Sequence, residues 1–327
     1  MIKNLKKKIE GYNFGATTAD ALGYPIEFLN IKEIYNLHGK NGPKGNPEDF
    51  IKNPNGSYQY SDDTQRIILT EKSLLENKSK PYNVKNIMDS FTEYSILWFD
   101  DPENNRAPGI SCMNSCKRLK RGIHWSQSGE KNSKGNGAAM SSGIIGAYFL
   151  NDLEKMTEVS TAMSKSTHKH PTGIVSGVLS SYLVNLAIKG ENPENLVEKS
   201  LEFINNFGKK YSIEVKEVEL KLHEVKRFQK YNLIKGMGLL GRHFEGKTGE
   251  EAVAMALYSF IKSPNDFKST ILNAINIGGD SDTVGCIAGG ISGAYNGIES
   301  IPFDWRNNIE NKEGLEKLAN EIYETLK

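Results

Sequence analysis

Cysteine, net charge and long apolar runs are all scarce in this chain of 327 residues. The three cysteines, Cys112, Cys116 and Cys286, include no C-x-x-C pair, which argues against a disulfide framework or a thiolate zinc site and favours a reducing cytoplasm. The 41 Lys and Arg against 40 Asp and Glu leave a net charge of +1, so charge gives no case for nucleic acid or an anionic membrane as the main partner. The basic N-terminal segment lacks the apolar core of a signal peptide, and no run approaches the ~18 apolar residues of a membrane span. We therefore expect a cytoplasmic protein.

Helical spacing dominates the chain. Alternating strand patterns are scarce, and no repeat recurs at a fixed period. We therefore predict an all-α, compact multi-helix single domain over residues 1–327. Two long loops, 30–60 and 100–136, are expected to carry binding chemistry. Apolar residues three and four positions apart predict helices at 5–21, 64–75, 84–99, 137–150, 153–164, 171–188, 193–207, 213–229, 249–261, 266–275 and 283–295.

Two acidic clusters stand at the starts of predicted helices. SDDT occupies residues 61–64, and DSDT occupies residues 280–283 behind a glycine pair. Asp, Ser and Thr are good helix N-caps, because their side-chain oxygens accept hydrogen bonds from the free N–H groups of the first turn. One such residue satisfies a cap, and each cluster has several. From these residues alone, capping and a shared site both remain open.

A shared site would need cations. If the fold brings the clusters together, four carboxylates meet, and like charges that close raise one another's pKa unless cations offset them. Two divalent ions would balance a charge of four. Carboxylates and hydroxyls are hard oxygen donors that suit Mg²⁺ or Mn²⁺ and do not suit zinc or copper. Such a two-metal centre can polarise an oxygen and activate water. The four acids are Asp62, Asp63, Asp280 and Asp282.

Six motifs in this order resemble the ADP-ribosylglycohydrolase family, which includes dinitrogenase reductase-activating glycohydrolase and the ADP-ribosyl-acceptor hydrolases. The resemblance spans nearly the whole chain. It implies an all-α fold with two Mg²⁺ ions, for which Mn²⁺ often serves, in a cleft that binds ADP-ribose. The motifs are GATTADALGYPIEF (15–28), SDDT (61–64), RAPGIS (106–111), GNGAAM (135–140), THKHP (167–171) and GGDSDTVGCIAGGISGA (278–294).

The resemblance implies which residues hold the metals and act in catalysis. Glu27 matches a glutamate with a catalytic or gating role, although the sequence alone favours an ordinary polar residue closing the first helix. Asp62 and Asp63 join Glu27 as candidate catalytic residues. Ser61 stands where the family usually has threonine, and it keeps the hydroxyl. The implied metal ligands are Ser61, Asp62, Asp63, Asp280, Asp282 and Thr283.

The resemblance also implies the substrate contacts. Glycines at 135 and 137 leave N–H groups open at a helix start, which suits a diphosphate, but Ser141 stands where the family typically has arginine. From the residues alone, a cap or a core-edge histidine explains His168 as well. Asp100 and Asp101 are candidates for the acceptor side. The implied ADP-ribose-binding residues are Gly109, Gly135, Asn136, Gly137, Met140 and His168.

The implied reaction is hydrolysis of the N- or O-glycosidic bond at the distal ribose of ADP-ribose on a protein side chain, most often arginine. The substrate would be an ADP-ribosylated protein or a small ADP-riboside, and we expect a monomer. One alternative is a pseudoenzyme that only binds ADP-ribose, which would tolerate damaged acids. The other is a two-metal phosphoester hydrolase, which a basic clamp at the glycine turn would support. All four acids are present and Ser141 supplies no charge, so we favour the glycohydrolase.

Overall fold

The computed structural model describes residues 2–102 and 104–327. Over these residues the regular structure is helical, and extended pairing is confined to isolated bridges. The all-α prediction is therefore confirmed. The helices are α1 (Leu5–Gly23), α2 (Ile31–His38), α3 (Asp62–Leu75), α4 (Val84–Asp100), α5 (Ile110–Lys120), α6 (Trp125–Ser128), α7 (Gly137–Tyr148), α8 (Leu153–Thr167), α9 (Pro171–Lys189), α10 (Leu196–Tyr211), α11 (Lys216–Phe228), α12 (Leu233–Leu240), α13 (Gly249–Lys262), α14 (Phe267–Ile275), α15 (Ser281–Asn296), α16 (Phe303–Asn308) and α17 (Lys312–Thr325).

Helices α1 and α15 cross at the centre of the fold with their backbones in contact. A Cβ atom on Gly293 would lie 1.9 Å from the carbonyl oxygen of Gly11, and one on Gly23 would lie 2.6 Å from the Cα atom of Asp282. Heavy atoms cannot approach this closely, so only glycine fits either position. The crossing brings the end of α1 directly against the start of α15, where the second acidic cluster lies.

Helix α9 is the apolar centre of the second half of the chain. An 18-residue window of this 19-residue helix has a mean hydropathy of 1.4, so by length and composition the helix could cross a membrane, contrary to the expectation that no run approaches a membrane span. Of that window, 89% is buried, and the helix packs against α7, α8, α13 and α15. In this fold α9 is a core helix.

The prediction of two long irregular loops is wrong in part, because each contains helices. Residues 30–60 include α2, which starts with a capping box: the Asn30 side chain accepts the N–H groups of Lys32 and Glu33, and the Glu33 carboxylate accepts the N–H of Asn30. Residues 100–136 include α5 and α6. Helices α12, α16 and α17 were not predicted either.

Candidate functional site

The two acidic clusters meet at the starts of α3 and α15. The closest ligand atoms of Glu27, Asp280 and Asp282 all lie within 4.8 Å of one another, a spacing that could hold a metal ion. Asp63 and Asp282 are close enough for the charge of Asp63 to raise the pKa of Asp282, after burial itself. Glu27, four residues after the end of α1, therefore joins the four acids in one cluster.

A further acid, Asp20 of α1, fixes the first cluster in place. Its carboxylate accepts the N–H of Ser61 at 3.0 Å, the N–H of Thr64 at 3.0 Å and the hydroxyl of Thr64 at 2.5 Å. Asp20 is fully buried. Asp20 lies inside the motif at residues 15–28, but no site role was expected for it, because a single acid gives no sign that its partners are residues 61 and 64.

The capping explanation holds for one cluster and not for the other. The Ser61 hydroxyl accepts the N–H of Asp63 at 3.2 Å and caps α3. Asp280 occupies the N-cap position of α15 but makes no capping bond with its side chain. Instead, its Oδ2 accepts the side-chain amide of Asn136 at 2.9 Å. The acid of the second cluster thus points toward the glycine-rich turn before α7.

Burial raises the pKa of every acid in the cluster. The pKa of Glu27 rises to about 8, through burial and then through the charges of Asp280 and Asp62. The pKa of Asp62 also rises to about 8, mainly through burial and despite the nearby Arg66. Burial and neighbouring carboxylates hold the pKa values of Asp63 and Asp282 above their usual range. Burial raises the pKa of Asp280 as well, although the hydrogen bond from Asn136 acts in the opposite direction. These groups stay ionised together only if a positive charge offsets them.

The unpaired oxygens of the cluster fit a hard cation. Asp62 Oδ2, Asp63 Oδ2 and Asp280 Oδ1 are buried and have no hydrogen-bond partner. A buried polar atom left unpaired costs about 1–3 kcal/mol. The donors are carboxylate and hydroxyl oxygens, the ligands that Mg²⁺ and Mn²⁺ prefer. The acid cluster could therefore hold a metal.

A cleft of about 450 Å³ opens beside the acid cluster. All six residues expected to bind ADP-ribose line it, as do Glu27, Asp62, Asp63, Asp280 and Thr283. Ser61 and Asp282 are buried and lie behind these lining groups. The cleft thus joins the acid cluster to the glycine-rich turn at residues 135–137.

His168 forms the wall behind that turn. It is 2% exposed, and its Nδ1 lies 2.8 Å from the Thr167 hydroxyl. A Cβ atom on Gly135 would lie 2.9 Å from its Nε2, so the ring needs the glycine. Burial, with the charge of Arg66, lowers the pKa of His168 to about 3. The ring is neutral near pH 7 and shapes the turn without adding charge.

The acceptor-side candidates Asp100 and Asp101, and Ser141, do not line the cleft. Asp100 and Asp101 are exposed; the Asp100 carboxylate pairs with the Lys120 ammonium at 2.6 Å. This location gives an acceptor-side role no support. Ser141 is buried and donates to the carbonyl oxygen of Gly137 at 3.0 Å, so it does not face the cleft.

The model of the ADP-ribosylglycohydrolase family matches residues 1–327. The chain belongs to this family. The resemblance seen in the motifs is confirmed, and the protein is a glycosidic-bond hydrolase of the ADP-ribosylhydrolase type.

Relatives match over almost the whole length of this ADP-ribosylglycohydrolase. An uncharacterized protein of Archaeoglobus fulgidus is 27% identical, over 98% of this chain and 97% of its own. ADP-ribosylhydrolase ARH3 of Gallus gallus is 25% identical, over 97% and 93%. ADP-ribosylarginine hydrolase Tri1 of Serratia proteamaculans is 23% identical, over 97% and 79%.

One solved structure, an ADP-ribosylglycohydrolase-related protein complex, resembles the fold. Its TM-score is 0.73 and its sequence identity 21%, over 99% of both chains. At this identity, the likeness supports the fold alone.

Proposed function

We propose that the protein removes ADP-ribose from modified protein side chains by hydrolysing the bond at the anomeric carbon of the distal ribose, and that it requires divalent cations. One observation carries the proposal: buried carboxyl groups with unpaired oxygens share a cleft with a glycine-rich turn at a helix start. The acids suit cations and ribose hydroxyls, and the turn suits a diphosphate. ADP-ribose contains both groups.

Two Mg²⁺ ions are the proposed cofactors, with Mn²⁺ as a substitute. When bound, they would offset the acids and orient the hydroxyls of the distal ribose. The residues that would hold them are Ser61, Asp62, Asp63, Asp280, Asp282 and Thr283.

Glu27 is the proposed proton carrier. It is the half-buried acid of the cluster and lines the cleft, so its carboxyl group can exchange protons with a bound substrate and with water. Its proton passes to the acceptor atom as the glycosidic bond breaks. Water then adds to the anomeric carbon and returns a proton to the Glu27 carboxylate. Positive charge that develops on the ribose is stabilised by the surrounding acids.

Arginine is the proposed acceptor. The printed name of the Serratia relative, ADP-ribosylarginine hydrolase, supports this linkage. Cytoplasmic location and a monomeric state remain predictions.

The test is incubation of the purified protein with arginine- and serine-ADP-ribosylated peptides, with and without Mg²⁺, followed by mass spectrometry. We expect Mg²⁺-dependent release of intact ADP-ribose from the arginine peptide. Release from the serine peptide alone would overturn the arginine assignment. Absence of release from both peptides, with inorganic phosphate freed from phosphoester substrates in a malachite-green assay, would favour the phosphoester hydrolase.

A further inference from the structure

We propose that Lys247 is the side chain that binds the diphosphate of ADP-ribose, which deepens the proposed function and rests on it. Lys247 lies in the turn before α13, outside every motif singled out in the sequence. It is exposed and lines the same cleft as the acid cluster. Three features carry the assignment: a fixed turn, an aromatic support and the charge of the cleft.

The turn that presents Lys247 is built around a buried acid. Glu251 is fully buried, and its carboxylate accepts the N–H groups of Phe244 at 3.0 Å and Gly246 at 3.4 Å. The ammonium of Lys221 pairs with the same carboxylate at 3.0 Å. Because backbone N–H groups bond to a paired, buried carboxylate, the turn has a defined shape.

The same turn is joined to the acid cluster and to the glycine-rich turn. The N–H of Asp280 donates to the carbonyl oxygen of Glu245 at 2.9 Å. The side-chain amide of Asn136 donates to the carbonyl oxygen of Gly246 and to Asp280 Oδ2, both at 2.9 Å. Lys247 is the next residue, so its backbone leaves the turn between the acids and the residues expected to bind the diphosphate.

Phe28 supports the Lys247 ammonium at the mouth of the cleft. The ammonium lies 5.0 Å from the centre of the ring, which is a cation–π distance. Phe28 is 55% exposed and has φ of +60°, and its N–H donates to the carbonyl oxygen of Gly279 at 2.7 Å. A bulky residue at positive φ is strained. The backbone thus holds a large ring exposed beside Glu27, where it can contact a ligand.

Lys247 is also the source of positive charge in the lining of the cleft as the structure describes it. Among the described residues that line it, four are acids and Lys247 is the one Lys or Arg. His168 is neutral, since its pKa is lowered to about 3, and Ser141 faces away. A diphosphate carries two negative charges, and Lys247 is the cationic side chain that the described lining of the cleft offers it. Lys247 has a competing partner in Glu245 at 3.5 Å, but an exposed pair of this kind is weak.

The first experiment measures binding without turnover. ADP-ribose is titrated calorimetrically, in Mg²⁺, into the wild type, Lys247→Met and Lys247→Arg. Methionine keeps the unbranched side chain and removes the charge. We expect Lys247→Met to bind roughly 10- to 100-fold more weakly, with a smaller dependence on salt, and Lys247→Arg to bind within a few-fold of wild type.

Lys235→Met is the matched control, because the Lys235 ammonium lies 4.5 Å from the ring centre of Tyr231, outside the cleft. This variant should bind ADP-ribose as the wild type does. Wild-type affinity in Lys247→Met would overturn the proposal, as would an equal loss in Lys235→Met.

The second experiment separates the diphosphate from the acceptor. With ADP-ribosylated arginine peptide, Lys247→Met should raise KM and leave kcat nearly unchanged, because the diphosphate does not change during the reaction. A fall in kcat at unchanged KM would overturn the diphosphate role and point to the acceptor. If the wild type binds ADP-ribose but releases none from any substrate, the proposed function fails while the calorimetric comparison still decides the role of Lys247.

Discussion

Asp20 and Ser61 are joined by a hydrogen bond of 3.0 Å from the Ser61 N–H to the Asp20 carboxylate. This bond connects α1, in the centre of the fold, to Ser61, one of the proposed metal ligands. The same carboxylate also accepts both donors of Thr64. One acid of α1 therefore fixes the start of α3, and with it the backbone that carries Asp62 and Asp63.

The first prediction is that Asp20→Ala disorganises the metal site without removing a ligand. The change leaves buried donors of Ser61 and Thr64 unpaired and should lower the free energy of unfolding by about 2–4 kcal/mol. Urea unfolding measures the loss, and calorimetry with Mg²⁺ measures the effect on the site. Asp20→Asn keeps the size and one acceptor, so it should lose less. Mg²⁺ affinity in folded Asp20→Ala equal to that of wild type would refute the positioning role.

The second prediction is that Asp62→Ala abolishes detectable turnover and weakens Mg²⁺ binding by more than roughly 100-fold, because Asp62 contributes an unpaired buried oxygen to the cluster. Asp266→Ala is the control: Asp266 caps α14 through the N–H of Ser269 and lies outside the cleft. It should cost about 1 kcal/mol of stability and no activity. A fully active Asp62→Ala protein that retains its metal would contradict the proposed function.

The third prediction separates two roles for Glu27. If it carries the proton, Glu27→Gln lowers kcat by roughly 10²–10⁴-fold and leaves Mg²⁺ affinity close to wild type. Kinetics and metal calorimetry on the same preparation give both values. A large loss of Mg²⁺ affinity would instead make Glu27 a metal ligand, as its spacing to Asp280 and Asp282 also permits.

The fourth prediction concerns Glu71, a fully buried acid of α3 whose two carboxylate oxygens have no hydrogen-bond partner. Burial raises its pKa from 4.5 to about 8. The folded protein therefore binds this proton more tightly than the unfolded chain does. Protonated Glu71 therefore contributes to the free energy of unfolding. This contribution is complete below pH ~4.5 and is lost as the pH rises through about 8.

Glu71→Gln keeps the size and removes the titration. Between pH 5 and 8 the free energy of unfolding of wild type should fall relative to the variant, by at most about 1.4 kcal/mol per pH unit. Urea unfolding across this range, in a chelator, gives both slopes. The acids of the cluster titrate in both proteins, so only the difference is informative. Parallel slopes would show that Glu71 has an ordinary pKa in the folded state.

Most of the fold was predictable because most helices bury one apolar face. Spacings of three and four residues mark that face, as in α10 and α11. The missed helices give weaker signals. Helix α2 has eight residues and buries only Ile34, and its Asn30–Glu33 capping box is the cue that the sequence did offer. Helix α17 buries only Leu315, Ala319 and Ile322, so its apolar face is narrow.

The four aspartates of the acid cluster could be predicted from the sequence, but the residues that position them and the cleft around them could not. The similar segments SDDT and DSDT, far apart in the chain, indicate that their side chains could form one site. The roles of Asp20 and Lys247 depend on where the fold places them. Asp20 accepts hydrogen bonds from the start of α3. Lys247 lies on a turn whose N–H groups bond to the buried carboxylate of Glu251. Single residues whose roles depend on tertiary contacts leave no pattern of their own. Asp100 and Asp101 show the opposite error: their sequence pattern suggested a role in the site, but neither residue lines the cleft.

The glycine contacts between α1 and α15 determine what can move when a substrate enters. Two helices whose backbones touch at Gly11 and Gly293 have no side chains between them to rearrange. Asp20 and Asp282 therefore belong to one rigid body. Any opening of the cleft has to come from the segments attached to that body, such as the Glu27–Phe28 corner. A single methyl group added at Gly23 would misplace Asp282 while leaving every acid in the chain unchanged.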